Sequence, residues 1–302
     1  MAGEAPERPI ATFSIVARDP ANDDLGVAVA SKFLAVGAVV PWAEAEVGAV
    51  ATQARANIAF GPQGLRLMHG GRSAAEALAR LLADDAEASH RQVGLVDAHG
   101  RAAAHTGGDC FAWAGHHVGR GFCCQGNILA GPEVVQAMAA AFEAAPGDLA
   151  ARLMVALRAG DEAGGDRRGR QAAALLVVRQ GGSYGGLLDR YIDLRVDDHP
   201  APIPELERLL ALHRLYLERS NPKDLLPLRG EVCLELQQIL AALGYYQGPL
   251  HGRYDGATER AFNECAGTEN LEERLQPGAT IDRVVLEFLR RKAFPTHSRE
   301  GE

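Results

Sequence analysis

Aromatic side chains are scarce in this sequence, at 6%, and basic residues are outnumbered by acidic ones, 31 to 39. A formal net charge of −8 leaves no basic footprint for a phosphate backbone, which excludes nucleic acid as the main partner. Arg167-Arg168-Gly-Arg170 and Arg290-Arg291-Lys292, the longest basic runs, are too short to change that. No stretch reaches the ~20 apolar residues of a membrane-spanning helix. The segment from Met1 to Ile10 has no apolar run of the signal-peptide kind, so no membrane association and no export signal are expected. The five cysteines are odd in number and include the vicinal pair Cys123-Cys124. Reduced thiols in the cytoplasm are the simplest account. Phosphate-loop and nucleophile-elbow motifs are missing. His116-His117 with Cys123-Cys124 fits no zinc spacing, and Asp197-Asp198-His199 reads as a strand-end turn. Neither a metal nor a cofactor is expected.

What the chain does have is a hydrophobic fraction of 47% and abundant glycine, 34 residues. Thr12 to Arg18 and Leu25 to Ser31 read as strands, joined by the turn formers of Asp19 to Asp24. Val47 to Gln53 reads as a third strand. These strands are apolar at nearly every position, as in sheets covered on both faces. Ser73 and Glu76 form a capping box for a helix through Leu82. Gln92 to His105 reads as a second hairpin, and a further strand pair lies between Phe111 and Cys124. Pro132 and Asp148 open two helices, and Gln171 to Arg179 and Arg190 to Val196 are strands again. The order of strands, helix, strands, two helices, strands is satisfied by two antiparallel sheets flanked by helices, an α+β four-layer αββα sandwich.

A helix from Glu205 to Glu218 closes that domain, and Ser220 to Lys223 reads as a linker. The resulting division is a leader (1–11), a sandwich domain (12–219), a small all-α domain (225–294) and a tail (295–302).

With the first turn centred near Asn22, Thr12 lies opposite Ser31 or Lys32. A threonine hydroxyl is a weak nucleophile that needs a base. The α-amino group of the same residue, with its near-neutral pKa, can serve as one. A neighbouring lysine would lower the hydroxyl's pKa. The alternative is that Thr12 and Ser14 are ordinary strand residues and Lys32 a surface lysine.

The run Thr12-Phe-Ser-Ile-Val-Ala-Arg-Asp-Pro, with Leu25-Gly-Val-Ala-Val-Ala-Ser-Lys-Phe-Leu-Ala-Val-Gly-Ala-Val-Val-Pro-Trp42, resembles an uncharacterised bacterial family assigned to the N-terminal-nucleophile (Ntn) hydrolase superfamily. The resemblance continues in Gly48-Ala-Val-Ala-Thr-Gln-Ala54, His105-Thr-Gly107, Gln125-Gly-Asn-Ile-Leu-Ala-Gly-Pro132, Gly165-Asp-Arg-Arg-Gly-Arg-Gln171 and Asp189-Arg-Tyr-Ile-Asp-Leu-Arg-Val-Asp-Asp-His199. It implies the αββα fold without bringing a substrate. Members of that family begin Met-Thr-Phe-Ser, so loss of Met exposes the threonine. Here ten residues precede Ala11-Thr12 after Met1 is included, and activity of that type requires cleavage of the Ala11–Thr12 bond. Without cleavage, Ser14 or Ser31 is the alternative hydroxyl, with Lys32 as base.

Further candidates surround this hairpin. The Asn127 amide suits an oxyanion donor, with Gln125 beside it. Gln53 and Asn57 end the third strand, at the rim expected for Thr12. His105 ends another strand and suits substrate binding or acid–base work. Arg168 and Arg170 lie on a glycine-rich loop that suits carboxylate recognition, and Asp166 suits orienting a lysine or the nucleophile's amine.

Leu234-x-Leu-Gln-x-Ile-Leu-x-x-Leu-Gly-Tyr-Tyr-x-Gly-Pro-Leu-His-Gly-Arg-Tyr-Asp255 resembles peptidoglycan-binding helical modules. A docking or dimerisation role fits equally well. The combined expectation is an Ntn-type amidohydrolase acting on a γ-glutamyl, acylamino-acid or muropeptide-like amide. Thr12, Lys32, Asn127 and Asp166 would be catalytic. Ser14, Ser31, Gln53, Asn57, His105, Gln125, Arg168 and Arg170 would contact substrate. A homo-oligomer is expected, with peptidoglycan fragments as possible ligands of the C-terminal domain. The alternative is a non-catalytic ligand-binding or scaffold protein that keeps the fold.

Overall fold

The computed structural model describes residues 12–295. The leader and the Ala11–Thr12 bond on which cleavage would act lie outside the described residues, as does the tail from residue 296. The chain divides into two units, Met1–Leu209 and Leu210–Glu302.

In the first unit, β1 (Thr12–Arg18) and β2 (Leu25–Ser31) are followed by β3 (Pro41–Glu44) and β4 (Gly48–Ala54). Helices α1 (Phe60–His69) and α2 (Ala74–Ala83) come next, then β5 (Arg91–Asp97), β6 (Ala102–Thr106), β7 (Gly115–Gly119) and β8 (Phe122–Asn127). Helices α3 (Glu133–Ala144) and α4 (Leu149–Glu162) precede β9 (Ala172–Val178) and β10 (Arg190–Val196). Helix α5 (Pro202–Leu217) contains the division between the units.

Two antiparallel sheets form, one in the order β10-β9-β2-β1-β8-β7 and one in the order β3-β4-β5-β6. Their facing surfaces share one apolar cluster, including Val16, Val27 and Val29 from one sheet and Ala49, Ala51 and Val96 from the other. Helices α3 and α4 cover the outer face of the six-stranded sheet, where Gly160 lets α4 approach Phe13 and Met138. Helices α1 and α2 cover the four-stranded sheet through Phe60, Met68, Leu78 and Leu81 against Val50, Val93 and Leu95. The layer order is therefore helix, sheet, sheet, helix. Strands buried on both faces explain why period-2 alternation is weak in the sequence.

Two elements of this unit differ from the sequence expectation. The third strand, expected at Val47 to Gln53, is β4, and β3 precedes it. Helix α1 has no counterpart in the sequence reading; Gly61, Pro62 and Gly64 are poor helix formers. Gly61 is there for contact: a Cβ at that position would lie 2.2 Å from the Trp42 ring. The capping box at Ser73 and Glu76 and the cap at Asp148 are present.

The second unit holds α6 (Glu231–Ala242), α7 (Gly256–Thr268) and α8 (Arg283–Ala293) around Leu236, Ile239, Phe262 and Leu286. A short ribbon of β11 (Leu225–Pro227) and β12 (Thr280–Asp282), not expected in a domain read as all-α, accompanies the helices. Gln237 is wholly buried: its Oε1 accepts from the His251 and Gly252 N–H groups, each at 3.0 Å. Asp255 caps α7. Bonds from the Thr258 N–H and hydroxyl, with a smaller effect of His251, hold its carboxyl at about 2, below the ordinary 3.8. A depressed carboxyl contributes stability that is fully present above 3.8 and is lost as pH falls toward about 2. Amide exchange at the first turn of α7 is expected to accelerate across that window, and Asp255→Ala to remove the pH dependence.

Candidate functional site

One end of the space between the sheets is polar rather than apolar. Thr12, Ser14, Gln53, Gln92, Gln125 and Asn127 are each 0% exposed, and Ser31 is 2%. Their inward direction follows from strand alternation. Thr12, Ser14 and Val16 face the other sheet, while Phe13 and Ile15 face the helices.

The pairing register fixes their neighbours. Thr12 stands opposite Ser31 on β2 and opposite Asn127 on β8, and Ser14 stands opposite Gln125. Gln53 on β4 stands opposite Gln92 on β5. The Thr12 hydroxyl donates to Ser31 Oγ at 3.2 Å. Ser14 Oγ donates to Gln53 Oε1 and accepts from Gln125 Nε2, both at 2.6 Å. Gln53 Nε2 reaches across the sheets to the Thr12 carbonyl oxygen at 3.3 Å. Gln92 is the hub. Its Oε1 accepts from Gln53 Nε2 at 2.9 Å and from Asn127 Nδ2 at 3.0 Å. Its Nε2 donates to the carbonyl oxygen of Gly126 at 2.7 Å and that of Gly115 at 3.1 Å.

An apolar layer here would cost less, because buried amides must be desolvated and then satisfied. Two acceptors, Gln125 Oε1 and Asn127 Oδ1, have no hydrogen-bond partner. A polar, rigidly cross-linked layer behind the first residue of a central strand is the kind of departure from core economy that accompanies a site.

Asp166 fastens the loops at this rim. Its Oδ2 accepts the Lys32 N–H at 2.8 Å and its Oδ1 the Arg168 N–H at 2.9 Å. The Lys32 ammonium donates to the Arg170 carbonyl oxygen at 3.3 Å. Arg170 meets Asp161 through Nε at 2.7 Å, and Arg168 meets Asp166 at 3.0 Å. Asn57 lies further out, with Nδ2 3.4 Å from Asp85. His105 Nε2 is 2.9 Å from the Ala88 carbonyl oxygen, on the outer edge of the four-stranded sheet.

The structure thus gathers Thr12, Ser14, Ser31, Gln53, Gln125 and Asn127 into one cluster, places Lys32, Asp166, Arg168 and Arg170 at its edge, and leaves Asn57 and His105 apart from it. Ser14, Gln53 and Gln125 are buried against one another and offer a substrate no surface in this state. Gln92 was not singled out from the sequence. Its signal is a glutamine at an inward position of the otherwise apolar run Gln-Val-Gly-Leu-Val.

The buried thiols are inert neighbours. Burial pushes Cys123 up to about 12 and Cys124 well above the usual thiol range, so neither supplies a thiolate. Burial, with His105 and His117 nearby, lowers His116, which therefore stays neutral near pH 7. Gly94 lies beneath the network: a Cβ there would fall 2.3 Å from Gln125 Oε1 and 2.8 Å from Cys123 Sγ. Gly94→Ala is expected to lower stability by about 1–3 kcal/mol through overpacking, read as a lower melting temperature.

Among the described residues there is no cluster of three or more His, Cys, Asp or Glu placed to hold a metal ion. No helix among them is long and apolar enough to cross a membrane.

The model of a family of unknown function, DUF1028, matches residues 12–206. A second model, described as "Putative peptidoglycan binding domain", matches residues 216–289. No curated protein matches the chain. Among solved structures, the crystal structure of protein SPO2555 from Silicibacter pomeroyi, a DUF1028 protein, is similar at 30% identity and a TM-score of 0.62. The similarity covers 68% of this chain and 89% of that one.

Proposed function

The chain belongs to the DUF1028 family, carries a C-terminal peptidoglycan-binding-type domain, and, on that premise, we propose that it is an Ntn-type amidohydrolase whose nucleophile is Thr12. The observation that carries the proposal is the position of Thr12. It is the first residue of a central strand, backed by a buried amide network and flanked by Ser31 and Asn127 on the neighbouring strands.

Scission of the Ala11–Thr12 bond frees the α-amine. The Thr12 hydroxyl attacks the carbonyl carbon of the amide, and the α-amine takes its proton. That proton passes to the leaving nitrogen as the C–N bond breaks, leaving an acyl ester on Thr12. Water then attacks the ester carbon, the amine takes the water's proton and returns it to Thr12 Oγ as the ester C–O bond breaks, and the carboxylic acid leaves. Asn127 Nδ2 gives one N–H to Gln92, and its second faces the oxyanion. The Ser31 hydroxyl orients Thr12. Asp166 positions Lys32 through its backbone, and the lysine's charge favours the deprotonated hydroxyl.

The C-terminal unit binds peptidoglycan fragments, and the protein works as a homo-oligomer in the cytoplasm, where its five free thiols stay reduced. A second reading, a binding protein without turnover, is favoured by the full burial of the Thr12 hydroxyl. Intact mass of the purified protein separates the two. Loss of residues 1–11, leaving Thr12 as the first residue, is expected. A chain that keeps the Ala11–Thr12 bond and yet hydrolyses amides contradicts the proposal.

A further inference from the structure

We infer that the Thr12 rim accepts an amide bearing a carboxylate beside the scissile bond and an apolar group beyond it, that is, an N-acyl amino acid with an apolar acyl chain. The inference rests on the hydrolase reading above and narrows its substrate class.

The two strands that flank Thr12 each run on into a residue tied to the same loop. On β2 the residue after Ser31 is Lys32, whose N–H is held by Asp166. On β8 the residue after Asn127 is Ile128, whose carbonyl oxygen accepts the Arg167 N–H at 3.0 Å. Asp166 itself bridges to Leu129. Its carboxylate side chain is 1% exposed, so the fastening is a buried one. It therefore brings Lys32 and Arg167 to the two sides of the Thr12 end of the sheet.

These two cations differ from their neighbours. Arg168 is matched by Asp166, Arg170 by Asp161, Arg91 by Asp85 and Arg55 by Glu87. Among the described residues, the Lys32 ammonium meets the Arg170 carbonyl oxygen and no acid, and Arg167 is exposed with no acid partner. An unmatched surface cation alone is ordinary. Two of them, held by a buried carboxylate at the end of the candidate nucleophile's strand, suit one substrate carboxylate.

The apolar part follows from the other loops at this rim. Leu34, two residues beyond Lys32, is 60% exposed, and Phe111, whose carbonyl oxygen accepts the Ile128 N–H, is 55% exposed. Ile58, beyond the end of β4, is 55% exposed. The three sit on loops that leave β2, β6 and β4 at the end of the sheets where Thr12 lies, and exposed large apolar side chains on neighbouring loops suit a contact surface. A γ-glutamyl amide carries its charges far along the acyl side and has no apolar acyl chain for these three residues.

The test uses the full chain carrying Thr12→Ala, so that bound ligand is not consumed. Binding of N-phenylacetyl-alanine and of its neutral C-terminal carboxamide is measured by calorimetry. The carboxylate is expected to bind about tenfold or more tightly than the carboxamide. Adding Arg167→Ala is expected to weaken that preference several-fold, Lys32 supplying the remainder, and Arg167→Lys to restore part of it. Equal affinity for the two compounds, binding of neither, or a preference untouched by Arg167→Ala overturns the inference. Hydrolysis by the unsubstituted protein separates the two levels. A carboxylate preference in binding without any Thr12-dependent hydrolysis refutes the hydrolase reading and leaves the subsite standing. Thr12-dependent hydrolysis of neutral amides with no carboxylate preference does the reverse.

Discussion

Replacing Thr12 by alanine is expected to lower amide hydrolysis by at least ~10³-fold while leaving the fold in place, as loss of the nucleophile does in triad enzymes. The two effects separate because of where Thr12 sits. Its hydroxyl donates to Ser31 Oγ at 3.2 Å, a bond worth about 1 kcal/mol of stability. Alanine keeps an extended backbone at this position, which stands opposite Ser31 on β2 and Asn127 on β8. The rate should therefore collapse while the melting temperature moves by a few degrees. Thr12→Ser keeps a hydroxyl on the same Cβ and is expected to retain measurable turnover. Ser14→Ala should behave differently from Thr12→Ala. The Ser14 hydroxyl is saturated by Gln53 and Gln125 at 2.6 Å each, so its removal leaves two amides short of a partner and acts on stability first. Rates and melting curves for the three variants, taken together, discriminate a nucleophile from a strand residue.

The second large effect is on stability and falls on Gln92. Gln92→Leu keeps the side chain's approximate volume and removes both ends of its amide. Gln53 Nε2 and Asn127 Nδ2 lose an acceptor, and the carbonyl oxygens of Gly115 and Gly126 lose a donor. Each orphaned buried group costs about 1–3 kcal/mol, so a loss of at least ~3 kcal/mol is expected even if Gln53 keeps its bond to the Thr12 carbonyl oxygen. For a unit of this size that is a fall of roughly 6–12 °C in melting temperature. Activity should fall further than the folded fraction, because Asn127 and the Thr12 backbone lose their common support. Gln92→Glu retains the acceptor at Oε1 but loses the N–H donors, and is expected to lie between the two.

The sequence made most of the scaffold legible where local chemistry dominates. The turn at Asp19 to Asp24 set the register that puts Thr12 opposite Ser31. The capping box at Ser73 and the cap at Asp148 marked helix starts because their side chains accept from the backbone beside them. Helix α1 was hidden because its glycines serve packing, Gly61 against Trp42, rather than local flexibility. All of the polar cluster except Gln92 was legible as polar strand residues near Thr12. Its hub was not, since a lone glutamine in an apolar strand acquires meaning only when the second sheet brings Gln53 and Asn127 to it. The roles of Lys32 and Asp166 likewise depend on a contact 134 residues apart in sequence, between the Lys32 N–H and the Asp166 carboxylate.

The central claim is that Thr12 is the group that becomes acylated. Its most direct measurement is the mass of the purified protein and of its Thr12-containing peptide after exposure to an electrophilic acyl probe such as a β-lactone. The predicted result is one probe mass added per chain, located on Thr12, absent from Thr12→Ala and suppressed by prior incubation with a turned-over amide. Acylation at another residue with Thr12 unmodified, or unchanged labelling of Thr12→Ala, would contradict the account.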